Sequence, residues 1–278
     1  MYNEKEQIAI ILISSPILFL NIAEIWIILK KKKILSNYER ILLSLAIADA
    51  LVSVAVVSGH SYELAILQSG SFKKDKDWTK EKTYVEFGVW FSILASMMHV
   101  LGLTVDRFIA IQYPFRHKIW ITKTRMQIFL AVTWFVSLTS ISLLMFLLNL
   151  LTLKLVASYF AMSFSIVIAV AYILIVKKVL VDQNKTLGGV ASLNTASQQR
   201  EQQKKKEHRL VITCLIIVLA FLISVVPFSL YMMVGKKEVV YVCILLICNS
   251  MANPLIFFYT HWRDKQIRPR TNKVYNFR

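Results

Sequence analysis

The chain has 278 residues, 56% of them hydrophobic, and carries 33 Lys and Arg against 16 Asp and Glu, a formal charge of +17. So much apolar surface is more than a soluble domain of this size buries, and lipid is the solvent that suits it. The surplus positive charge is spread over short connections beside anionic headgroups, so no nucleic acid is needed to explain it.

Seven apolar runs follow in chain order: Ile8 to Leu29, Ile41 to Leu67, Tyr84 to Ile111, Met126 to Leu148, Leu155 to Val176, Leu210 to Val234 and Val239 to Tyr259. Each meets the roughly 20 residues a spanning helix needs. Backbone groups in hydrocarbon must pair within their own segment, and the runs lack the alternation of barrel strands. The expected fold is an all-α membrane protein, a single seven-transmembrane-helix bundle over 1–278. Most Lys and Arg fall on the face holding Lys30 to Lys33, Arg116 to Arg125, Lys177 to Arg209 and the tail 260–278, which puts that face inside and the N terminus outside. Cys214, Cys243 and Cys248 all lie within runs, so no outer disulfide is expected.

In the first run, Asn21 is joined by Glu24, which is expected to be protonated or to face the interior. The second run holds Asp49 at mid-helix, and an ionisable group there costs about 2.5–3.5 kcal/mol on insertion scales. Asp49, Ser96, Asn249, Ser250 and Asn253 together offer oxygen ligands for a small hard cation or a shared proton, or else a polar cluster that only holds helices together. His60, Glu63 and Glu86 lie in the outer thirds of helices two and three, lining an outward cavity or snorkelling to headgroups. His99 is expected to bond a neighbouring helix.

Asp106-Arg107-Phe108 ends the third run, where the guanidinium can pair with Asp106 and reach water. The stretch from Gln112 to Lys118 reads as a loop in which Pro114 ends the helix. A stretch over 181–206, rich in Gly, Ser, Asn, Gln and Lys, reads as a flexible cytoplasmic loop. Pro227 and Pro254 each free a carbonyl inside their helices and predict kinks. Beyond Tyr259, Trp262 and Ile267 set among Arg263, Lys265 and Arg268 suit a short amphipathic helix in the interface, with a frayed basic tail as the alternative.

These residues resemble the rhodopsin-like (class A) G-protein-coupled receptors. The resemblance rests on Asn21, on Leu45-Ala-Ile-Ala-Asp49, on Asp106-Arg107-Phe108, on Trp134, on Phe221 and Pro227, and on Asn253-Pro254-Leu-Ile-Phe257, in family order and spacing. A missing loop disulfide, with Lys82 at the position of its third-helix Cys, a short outer loop at 149–154 and Phe164 in place of the fifth-helix Pro give a weaker similarity to the melanocortin, lipid and cannabinoid branch.

The resemblance implies a plasma-membrane, multi-pass receptor that binds an extracellular ligand and activates a heterotrimeric G protein, with no covalent chemistry. Its switch would comprise Asp106, Arg107, Phe108, Glu207, Tyr172, Phe221, Pro227, Asn253, Pro254 and Phe257, with Asp106 and Glu207 restraining Arg107 and the sixth helix moving about Pro227. Asp49, Ser96, Asn249, Ser250 and Asn253 would form an allosteric sodium pocket; no other cofactor is implied. His60, Glu63, Glu86, Val89, Trp90, Ile93, Phe160, Phe228, Met232 and Cys243 would line a ligand pocket, or only pack helices. That mostly apolar wall suits a hydrophobic or amphipathic ligand, lipid or peptide-like, with a cationic group. Val89 stands where amine receptors carry Asp, which disfavours an amine held in the usual way. Val225 replaces a Trp and Phe257 a Tyr, so Tyr172 lacks its hydroxyl partner unless Tyr259 substitutes. A receptor-like orphan with little signalling, and a seven-helix transporter or channel, are the alternatives.

Overall fold

The computed structural model describes residues 3–31, 34–69, 76–187, 195–234 and 240–275, and among these all side chains except 76–84, 150–151, 182–187, 195–208, 240–243, 246 and 264–275. Along them run the helices α1 Glu4–Leu29, α2 Asn37–Ser69, α3 Lys76–Gln112, α4 Pro114–Trp120, α5 Lys123–Leu147, α6 Leu150–Leu187, α7 Thr195–Met233 and α8 Val240–Tyr275. Segments of α1, α2, α3, α5, α6 and α7 are long and apolar enough to cross a membrane, and the seventh apolar run lies in α8.

Two segments differ from the sequence reading. The stretch 112–118 is not a loop. Pro114 does end α3, but it also occupies the first turn of α4, where its missing N–H costs nothing. Over 181–206, α6 continues to Leu187 and α7 starts at Thr195, because Lys, Gln and Glu are good helix formers wherever the chain need not bury them; 188–194 lie outside the described residues. Beyond Tyr259, α8 runs on to Tyr275 without a break that would set off a separate amphipathic helix.

The helices close into a ring in which α1 packs on α2 and α8, α6 on α7, and α7 on α8, with α3 at the centre against α2, α5, α6 and α7. A capping box between Asn3 and Glu6 starts α1. Ser36 and Glu39 make the same reciprocal bonds at the start of α2, and Glu39 also binds Lys31 at 2.6 Å. On α1 the buried face is Gln7, Ile10, Ser14, Ile17, Asn21, Glu24 and Ile28, an unbroken 3-4 spacing. Its opposite face presents Leu12, Phe19, Ile22 and Trp26 outward, as a lipid-facing surface requires.

Glycine permits the closest crossings. A Cβ on Gly102 of α3 would lie 2.6 Å from the Phe129 ring of α5. Gly102→Ala is expected to destabilise the bundle by about 1–3 kcal/mol through overpacking, read as a lower thermal unfolding midpoint. Adding Phe129→Leu should recover part of the loss, and an unchanged midpoint in the single variant would show that the ring moves aside freely.

Candidate functional site

Asp49 is fully buried where α2, α3 and α8 meet. Its Oδ1 accepts hydrogen bonds from Ser96 Oγ at 2.7 Å and Ser250 Oγ at 3.0 Å, and its Oδ2 accepts from Asn253 Nδ2 at 2.6 Å. Asn249 is buried on α8 but takes no part in that set. Asn21 extends the cluster to α1 by donating to the Ser250 carbonyl at 3.0 Å. Four helices are thus tied to one carboxylate. The two serine hydroxyls keep lone pairs after donating, so with the Asp49 oxygens they form a hard oxygen set that fits a small cation.

His99 bonds the neighbouring helix, as its sequence position suggests. Its Nδ1 lies 2.6 Å from the Ala95 carbonyl, which can only accept, so that nitrogen carries the proton and Nε2 accepts from Ser44 Oγ at 2.7 Å. The Trp134 indole donates to the same Ser44 oxygen at 2.9 Å. This chain of bonds fixes α2, α3 and α5 together.

At the C-terminal end of α3 the Asp106 carboxylate takes both Nε, at 2.9 Å, and Nη2 of Arg107. His117 of α4 adds a third partner through Nε2 at 2.9 Å. Both Asp106 and Arg107 are buried, and the guanidinium sits 5.9 Å from the Tyr38 ring centroid. Phe108 packs at the edge of the main core. The Glu207 side chain, the other expected restraint on Arg107, lies outside the described residues. His117 is the partner that sequence reading missed. Its signal was Pro114, which starts a short helix and so folds the next turn back over α3.

Tyr172, Phe221 and Phe257 meet in the main core, with Tyr172 set against Cys214. Phe257 stacks on His261, with ring centroids 5.8 Å apart. Tyr259 does not substitute for it. Two residues along a helix turn a side chain about 200°, and Tyr259 accordingly faces outward with Arg263 over its ring. Pro227 lies inside α7, between core residues Val225 and Phe228, and Pro254 is buried on α8.

The ten residues expected to line an outer pocket fall into separate groups. Trp90, Phe228 and Met232 cluster with Ile141 and Leu153, the Trp90 and Phe228 rings 6.4 Å apart. Glu86 is bound there by the Trp90 indole at 3.0 Å and lies 3.9 Å from Lys154 Nζ. Val89 and Ile93 join a second apolar cluster with Ile10, Ile17, Val52, Val56 and Ile247. His60 and Glu63 turn to α1, where both bond the buried Gln7, Glu63 at 2.5 Å. Phe160 is 44% exposed and packs on Phe164. The Cys243 side chain lies outside the described residues. The two carboxylates therefore do not face one ligand together: Glu86 has a cation already, and Glu63 belongs to the α1–α2 edge.

Residues 20–155 match the family model described as "7 transmembrane receptor (rhodopsin family)". Among curated proteins, the 5-hydroxytryptamine receptor 2B of Dichotomyctere fluviatilis is 26% identical over 132 residues, 46% of this chain and 26% of the relative. The human 5-hydroxytryptamine receptor 2C is 31% identical over 122 residues, 42% of this chain and 25% of the relative. Melanocortin receptor 4 of Danio rerio is 31% identical over 115 residues, 41% of this chain and 35% of the relative. The chain thus spans about a quarter of the length of the first of these relatives. Through its matched segment, residues 20–155, and its bundle of apolar helices, the chain is similar to the rhodopsin-like family of seven-transmembrane receptors.

Proposed function

We propose that this protein is a G-protein-coupled receptor whose resting state is held by the Asp106–Arg107 pair at the inner end of α3. The observation that carries this reading is the burial of that pair under His117, an arginine kept from water at the end of the bundle where a cytoplasmic partner would dock. An outer ligand biases a two-state equilibrium, α7 swings outward about Pro227, and Arg107 leaves Asp106 to meet the G protein. The N terminus lies outside in this reading, which the excess of Lys and Arg on the opposite face supports. A sodium ion held by Asp49, Ser96 and Ser250 would favour the resting packing by linking α2, α3 and α8.

The ligand we infer is hydrophobic or amphipathic, seated against Trp90, Phe228 and Met232. Two of the relatives are named for 5-hydroxytryptamine, but Val89 supplies no carboxylate for an amine, and Glu86 is engaged by Trp90 and Lys154. A weakly signalling, receptor-like protein is the second reading, favoured by Phe257, which shares the core with Tyr172 but has no hydroxyl to offer it, and by Tyr259 turned away.

The test is nucleotide exchange on purified G proteins by the reconstituted chain and by Arg107→Ala. Exchange above the empty-membrane level that Arg107→Ala abolishes is the expected result. Equal exchange by both would reject the receptor mechanism, and none from the unsubstituted chain with any ligand would favour the second reading.

A further inference from the structure

Glu24 lies on the inward stripe of α1 with 1% of its surface exposed, and neither carboxylate oxygen has a hydrogen-bond partner among the described residues. One turn away on the same stripe, Asn21 spends its amide group on the Ile17 and Ser250 carbonyls, leaving its Oδ1 buried and unpartnered too. Three bare oxygens thus face the seam where α1 packs on α2 and α8. The charged groups near enough to act on Glu24 are Asp49 and Lys31. Neither neutralises it, since Asp49 repels it and Lys31 is bound to Glu39 at 2.6 Å. Asp49 has three donors to spread its charge, and Glu24 has none among the described residues. An acid left this way inside a bundle is costly unless it binds something.

We propose that Glu24 and the Asn21 side-chain oxygen, one turn and about 4.5 Å apart along α1, hold a small monovalent cation, sodium, at a position separate from the Asp49 cluster. The donors are all oxygen, which selects a hard ion. One carboxylate, ionised as the ion binds, balances an ion of charge +1. Because Asn21 also bonds the Ser250 backbone, whose side chain bonds Asp49, an ion here ties α1 into the same junction that holds α2, α3 and α8.

The experiment uses the full chain in lipid nanodiscs, with sodium chloride titrated against choline chloride at constant ionic strength. The thermal unfolding midpoint is read for the unsubstituted chain, Glu24→Gln, Asp49→Asn and the double variant. The expected result is a sodium-specific rise that is reduced in each single variant and gone in the double. A full sodium response in Glu24→Gln, with Asp49→Asn alone erasing it, would overturn the proposal. So would a Glu24-dependent response to calcium at concentrations where sodium has none. Infrared difference spectra, sodium minus choline, give a second readout that does not depend on stability. A carboxylate band should appear with sodium and vanish in Glu24→Gln, and a protonated carboxyl band indifferent to sodium would reject the site. Neither readout needs a ligand or a G protein, so failure here and failure of the signalling mechanism are separately visible.

Discussion

Asp49→Ala is expected to lower the stability of the bundle by about 3–5 kcal/mol, because three buried donors lose their common acceptor at once. Each polar group left unsatisfied costs about 1–3 kcal/mol, and here the groups are Ser96, Ser250 and Asn253 on two different helices. The three penalties fall short of a full sum, since α3 and α8 can relax once the carboxylate no longer holds them. Ser96→Ala should cost far less, about 1 kcal/mol, because Asp49 keeps two of its donors. In the Asp49→Ala background the further cost of Ser96→Ala should vanish, as both changes remove the same bond. Thermal unfolding of the single and double variants in one lipid measures this. Additive losses would mean that Ser96 and Asp49 stabilise the bundle independently, contrary to the 2.7 Å contact.

Length and apolarity made the bundle legible, because a spanning helix must satisfy its backbone by itself and so declares its extent. The Asp49 cluster was legible for the reason that makes it costly: polar groups stand out in lipid. What the sequence hid was direction. In a soluble helix the apolar stripe marks the inward face, but here the outward face is apolar as well, and periodicity carries little information. Phe160 illustrates the cost, an aromatic residue expected in a pocket but 44% exposed and resting on Phe164. On α1 the answer was present in the sparse polar residues, since Gln7, Ser14, Asn21 and Glu24 share one 3-4 stripe. Partners drawn from distant segments were not legible. Lys154 on Glu86 depends on how α6 leaves the short outer loop, and His117 on Asp106 depends on the turn set by Pro114.

That last contact carries the second large effect, on signalling rather than stability. Asp106→Asn is expected to raise ligand-independent nucleotide exchange, because the neutral amide no longer holds the guanidinium that must be released. A hydrogen bond to a charged group contributes about 1.5–3 kcal/mol. If Arg107 surrenders that interaction on activation, the resting state loses roughly ten- to hundredfold of its advantage, at tenfold per 1.4 kcal/mol. His117→Ala should act in the same direction but more weakly, since it removes one donor and leaves both Arg107 contacts in place. His117→Gln, which can still donate, should stay near the unsubstituted level. Adding Arg107→Ala to any of these should return exchange to background, which separates release of the arginine from general loosening of the inner end. The measurement is nucleotide exchange per folded receptor, with folding checked by thermal unfolding. Asp106→Asn at the unsubstituted level would mean that the buried pair does not hold the switch, and the restraint would then have to be sought on α7.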